Sequence, residues 1–172
     1  MIDRSFFEKD AETVAQKLLG KVLKINNRKV VITETEAYPA TDSACYGKDQ
    51  EGNLRITEAT KPLFEKPGTV CIYGGMILIS CNESGTPENV LIRRGGNESC
   101  YLEGPYSLGK YFDVSDSFYE LHGADILSEN SIIKISEELK IKFTKTTRVG
   151  LSENIKDDDY KKEFRFILLN NN

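Results

Sequence analysis

Lys29-Val30-Val31-Ile32-Thr33-Glu34-Thr35-Glu36-Ala37-Tyr38 changes character partway along. Val30 and Ile32 alternate with their neighbours as in a strand with one buried face, and the same parity continues through Glu34, Glu36 and Tyr38. An apolar stripe therefore runs into two carboxylates and a phenol. Such a strand either leaves the core to line a cleft or simply emerges into solvent, and the pattern fits both.

Working outward, residues 21–25 read as a second strand, joined to the strand at 29–35 through Asn26-Asn27, whose tolerance of positive φ suits a tight hairpin. Upstream, Ala11, Val14, Ala15 and Leu18 recur at helical spacing behind Asp10 as N-cap, with Gly20 free to take the left-handed conformation. Downstream, a polar loop over 39–60 precedes strands at 70–73, 77–81 and 90–93, with Pro67-Gly68 and Gly74-Gly75 as turns. Gly104-Pro105 marks a helix start, and further strands are expected at 131–135 and 164–168. No repeat, linker or shift of composition divides the chain. Strands outnumber helices, which predicts an α+β fold: a single domain over 1–172 on a curved, largely antiparallel β-sheet with flanking helices.

Composition sets limits. With 39% hydrophobic and 29% charged residues and no long apolar run, the chain reads as globular without a membrane span. Its first residues lack the apolar core of a secretory signal, so the cytoplasm is the expected location. Four cysteines without a Cys-x-x-Cys pair, and His122 as the single histidine, give no recognisable zinc ligand set, so reduced thiols and no metal are expected. The net charge of −4 opposes binding to nucleic acid in bulk, because phosphate contacts need clustered Lys and Arg. A local basic face would have to supply them. Lys110, Lys134, Lys142, Lys145, Arg148, Lys161, Lys162 and Arg165 make the carboxyl half its candidate.

Several short runs then recur in a telling order. Thr33-Glu34-Thr35-Glu36-Ala37-Tyr38 is followed by Asp42-Ser43-Ala44-Cys45, by Thr57-Glu58-Ala59-Thr60-Lys61-Pro62-Leu63-Phe64 and by Lys66-Pro67-Gly68-Thr69. Val90-Leu91-Ile92-Arg93, Gly104-Pro105, Arg148-Val149-Gly150 and Phe164-Arg165-Phe166 come after. In this order the series resembles the alkyladenine (3-methyladenine) DNA glycosylase family over nearly the whole chain. The resemblance implies one mixed α/β domain without cofactor or metal. Such a domain wedges into the minor groove of double-stranded DNA containing alkylated bases and takes the flipped nucleotide into an aromatic pocket. No membrane and no obligate protein partner is implied, and the chain is expected to act as a monomer.

Carried onto this sequence, the resemblance makes Glu36 the general base and Arg93 the arginine that holds the attacking water, with the backbone carbonyl near Val149 touching the same water. Tyr38 and Tyr73 match the aromatics that stack on the flipped base, and Asn82, at one residue of slippage, matches a pocket asparagine. Tyr46, with Tyr38 and Tyr73 a candidate wall of the base pocket, stands where the family usually has a histidine, and Ala59 where it often has an arginine. The hairpin at Tyr73-Gly74-Gly75-Met76 is short and lacks the tyrosine wedge, so that either another side chain, such as Met76 or Ile77, fills the gap in the duplex or extrusion is weaker here. Lys110 and Arg148 are the further candidate DNA contacts.

These residue types suit the chemistry. Extruding a base costs a few kcal/mol, and aromatic faces return roughly 1–3 kcal/mol per stacked base, more when the base is cationic. At the sugar, a carboxylate can polarise water and stabilise an oxocarbenium-like state. Taken alone, Glu36 and Arg93 also fit an ordinary ion pair at strand ends, and Glu34 is assigned a structural role. With no acid evident for a neutral leaving base, cationic adducts such as 3-methyladenine are the expected substrates, ahead of hypoxanthine. Lysine-based strand cleavage is not expected. Two alternatives remain at this stage: a degenerate relative that binds damaged DNA without catalysis, and an unrelated β-rich binder of small molecules or peptides.

Overall fold

The computed structural model describes residues 2–97, 99–136, 141–151, 153 and 155–169. The carboxylate-bearing strand is central. β1 (Val22–Ile25) and β2 (Arg28–Tyr38) form the expected hairpin, with Asn26 at φ +51° in its turn. Before them lie α1 (Arg4–Phe7), which the sequence reading did not anticipate, and α2 (Ala11–Leu18), capped by the Asp10 side chain accepting from Thr13 N at 2.8 Å. After β2 come β3 (Val70–Tyr73), β4 (Met76–Ser80), β5 (Asn89–Asn97), β6 (Cys100–Leu102), α3 (Pro105–Tyr111), α4 (Phe118–Leu121), β7 (Ile133–Ser136), β8 (Lys142–Thr146) and β9 (Arg165–Leu169).

All described ladders are antiparallel, and they form one sheet with the path β3-β4-β5-β2-β1-β7. β2 is long enough to serve two partners on one edge: β1 runs along its first residues, and β9 takes over at Glu34–Glu36. β6 continues from β5, and β8 adds to β9. The fold is α+β on a curled antiparallel sheet, as the strand count predicts.

Alternation along β2 does not persist as the sequence suggests. A register irregularity between Ile32 and Thr35 interrupts the ladder with β5. Val30 and Ile32 pack in the same core as Ala37, whereas Tyr38 belongs to a separate apolar cluster. The irregularity thus exchanges the faces, since a one-residue slip moves every following side chain to the other side. The main core fills the face carrying α2, with Val14, Leu18, Val70, Ile77, Ile79, Val90 and Ile92, and the Thr35 hydroxyl donates to Ala15 O at 2.8 Å to tie β2 to the helix. On the opposite face, the side of Tyr38, lies a smaller cluster of Tyr38, Cys45, Leu63, Cys71, Met76, Leu78 and Leu91. No helix among the described residues is long and apolar enough to cross a membrane.

Candidate active site

Glu34 and Glu36 are both fully buried. Burying a carboxylate is costly unless it is paired and hydrogen-bonded, and the two are paired differently, Glu34 Oε2 accepting no hydrogen bond among the described residues. Glu34 is surrounded by arginines: Arg93 Nε and Arg165 Nε approach its Oε1 at 2.9 and 2.7 Å, and Arg94 Nη1 its Oε2 at 3.0 Å. This is the structural role expected of it. Glu36 receives lighter support. Val149 N donates to its Oε1 at 2.8 Å, the Tyr38 hydroxyl donates to its Oε2 at 2.8 Å, and Arg93 Nη1 stands 3.3 Å from Oε1. Because a carboxylate oxygen has two lone-pair directions, Oε2 keeps one for a further donor such as water.

Ladder registry explains the convergence. Glu36 pairs with Leu91 and Tyr38 with Asn89, so Arg93, two residues beyond Leu91, shares their face. β9 brings Arg165 opposite Glu36 on the other edge. Val149 arrives on a loop held by Arg148, whose guanidinium donates to Ala37 O at 3.1 Å and Asp159 O at 2.9 Å and pairs with Asp42 at 2.7 Å. That side chain is wholly buried, and its guanidinium carbon lies 4.7 Å from the centre of the Tyr38 ring. Arg148 is therefore an internal clamp and not a DNA contact, contrary to the sequence reading. Burial raises the Asp42 carboxyl above the usual carboxylate range against the pull of Arg148.

The three candidate tyrosines do meet. Tyr46 packs edge-to-face on Tyr38 at 4.8 Å between ring centres and on Tyr73 at 5.3 Å. Burial pushes the Tyr46 phenol up to about 12, with Glu36 and Tyr106 adding to the shift and Tyr38 and Arg93 opposing it. Burial, followed by Tyr46 and Glu36, lifts Tyr38 well above its ordinary value as well. Both phenols are thus protonated at neutral pH, and the Tyr38 hydroxyl remains a donor to Glu36.

Other expectations are corrected. Asn82 is exposed at φ +68° past the end of β4, and its Nδ2 donates to Glu88 Oε2 at 3.1 Å beside the start of α2, away from the tyrosines. The asparagine on the tyrosine side is Asn89, fully buried next to Cys45, with Nδ2 donating to Pro87 O at 2.8 Å and no partner for Oδ1 among the described residues. The sequence carried a signal for it, since Asn89, Leu91 and Arg93 repeat the two-residue spacing of Glu34, Glu36 and Tyr38. Ile77 is fully buried in the main core and Met76 is 7% exposed in the smaller cluster, so neither reaches the surface as the sequence reading requires. Val149 donates its N–H to Glu36, a contact additional to the backbone carbonyl that the resemblance implies.

The basic carboxyl half is also largely spent on internal contacts. Lys145 pairs with Glu12, Lys161 with Asp158, Lys162 with Asp159, and Lys134 donates to the carbonyls of Ser128 and Glu129. Lys110 and Lys142 stay exposed without a carboxylate partner among the described residues. The cysteines are free thiols, and burial raises Cys45 and Cys71 to about 12.

Comparison with known proteins points one way. The family model for methylpurine-DNA glycosylase matches residues 5–172. A Rickettsia felis protein is 30% identical over 162 residues, covering 89% of this chain and 87% of that protein. Proteins of Borrelia garinii subspecies bavariensis and Borreliella burgdorferi are 31% and 30% identical over 188 residues, covering 99% of this chain and 97% of each. The names of all three assign them, provisionally, as 3-methyladenine DNA glycosylases.

Proposed function

The chain belongs to the methylpurine-DNA glycosylase family, DNA-repair enzymes that remove alkylated bases, and from that premise we propose that Glu36 activates the water that hydrolyses the N-glycosidic bond of a flipped 3-methyladenine-type nucleotide. The observation that carries this reading is the environment of Glu36. It is a buried carboxylate fixed from two sides by the Val149 N–H and the Tyr38 hydroxyl, with Arg93 at 3.3 Å and a lone pair left for water. General bases are held in this way, by neighbours that orient them without consuming them.

In the proposed reaction the water, held between Glu36 and Arg93, attacks the anomeric carbon from the face opposite the base. The glycosidic bond breaks with its electron pair going to the base, Glu36 takes the water proton, and an abasic sugar remains. A cationic base departs neutral and needs no acid, which favours cationic adducts. Tyr38 and Tyr73 wall the base site, and the double-stranded DNA substrate sets the cytoplasm as the place of action.

Release of free 3-methyladenine from methylated duplex at low salt tests the reading. Wild type is expected to release it, and Glu36→Gln to be slower by at least about 100-fold, the usual share of a general base. The exchange keeps the fold, because the amide oxygen can accept from Val149 N and the amide nitrogen can donate to the Tyr38 oxygen. A second reading, a DNA binder without catalysis, gains from the Tyr46 ring packing on both Tyr38 and Tyr73. DNA bound with no base released by wild type would establish it.

A further inference from the structure

We propose that Tyr106 of α3 is the side chain that enters the duplex when a base leaves it, with Lys110 beside it meeting the phosphate backbone. The inference rests on the base-flipping reading above and names the residue that fills the gap. Proteins that kink or open a duplex commonly insert a side chain between base steps, which compensates for lost stacking. Such a residue must be exposed, large and next to the mouth of the base site.

The β3–β4 hairpin cannot supply it. Tyr73 and Met76 face each other across a two-residue turn, Gly74 and Gly75 have no side chain, and Met76 and Ile77 are buried. α3 packs against the turn of this hairpin. Tyr106, Gly109 and Lys110 line one groove together with Gly74 and Gly75. Gly109 permits this approach, because a Cβ there would come within 1.9 Å of Gly75 O. Tyr106 and Lys110, four residues apart on the helix, occupy the same face. Tyr106 is 64% exposed. A comparably exposed tyrosine, Tyr101, projects from β6 opposite Gly96, three residues beyond Arg93 along β5, and provides the natural comparison.

The test uses full-length protein and a duplex carrying 2-aminopurine opposite a tetrahydrofuran abasic analogue, so that insertion is read without any cleavage. Wild type is expected to change the 2-aminopurine signal at saturation. Tyr106→Ala should lose most of that change and bind the duplex about tenfold more weakly, while binding the single strand as wild type does. Tyr106→Phe should keep both properties, and Tyr101→Ala should match wild type. Equal signals for wild type and Tyr106→Ala, a loss shared by the single strand, or no signal change with wild type would each overturn the proposal. Base release from methylated DNA, measured separately, reports on the glycosylase reading and leaves this result standing.

Discussion

Tyr46 offers the sharpest perturbation. A purine held between Tyr38 and Tyr73 needs ring planes about 7 Å apart, twice the stacking repeat of roughly 3.4 Å along a nucleic-acid strand. Tyr46 packs edge-on against both rings, at 4.8 and 5.3 Å between ring centres. Edge-to-face pairs contribute about 0.5–1.5 kcal/mol each beyond burial, so two hold Tyr46 in place by about 1–3 kcal/mol. A base that enters by displacing Tyr46 works against that sum, which corresponds to a factor of about 5–150 in the flipping equilibrium. Tyr46→Ala should therefore raise the population of the flipped state at least about fivefold, and with it the single-turnover rate of base release, at some cost in thermal stability. Tyr46→Phe keeps both ring contacts and should behave as wild type. The assay is 2-aminopurine fluorescence at the lesion position together with single-turnover release of 3-methyladenine. Slower release and weaker flipping in Tyr46→Ala would refute the reasoning, because Tyr46 would then be a wall that touches the base and not a side chain in its place.

Two further outcomes follow from buried charges. Arg148→Met leaves the Asp42 carboxylate buried without its partner at 2.7 Å and frees the loop carrying Val149. A loss of roughly 3–5 kcal/mol is expected, a fall in Tm of about 6–20 °C, part of which Asp42→Leu in the same chain should restore. A Tm unchanged by Arg148→Met would contradict the clamp. For Asp125, burial acts to raise the carboxyl, but hydrogen bonds from Arg4 and Lys66 outweigh it and hold the group well below the usual range. A depressed folded pKa gives stability that is complete above the unfolded value, about 4, and is lost as pH falls below it. Urea unfolding should thus show a stability gap between wild type and Arg4→Ala that is full at pH 7 and shrinks at pH 3; a gap independent of pH would remove Asp125 from the account.

Much of the fold could be read from local pattern, because local forces decide those parts. The α2 cap at Asp10, the Asn26 turn, β3 and the Pro105 start of α3 all lie where cap and turn chemistry put them. What alternation misjudged is β2. Strict parity puts Val30 and Ile32 on the side of Glu36, and the irregularity at Ile32–Thr35 puts them on the other. The irregularity is set by long-range pairing with β5 and β9, which no local window contains. The same holds for β8, a strand of mostly polar residues, Lys142-Phe143-Thr144-Lys145-Thr146, that exists only because β9 offers it an edge. For the site, the family resemblance singled out Glu36 and Arg93, which the structure places 3.3 Å apart, but charge alone misread Arg148. An arginine on the page looks like a phosphate contact until the structure supplies Asp42, Ala37 and Asp159 as its partners.

The arrangement of the two carboxylates suggests why Glu34 is there at all. In the proposed reaction Arg93 has to stand beside Glu36 without closing on it, since a tight bidentate pair would consume the lone pairs that a general base needs. Glu34 draws Arg93 Nε to 2.9 Å and leaves its Nη1 at the longer 3.3 Å from Glu36. Arg94 and Arg165 in turn offset the charge of Glu34, so that the second buried carboxylate does not load the first with uncompensated repulsion. With one carboxylate ordering three arginines and the other held mainly by a phenol and a backbone N–H, the cluster as a whole carries a net positive charge. Three arginines against two carboxylates leave this cluster positive within a chain of net charge −4.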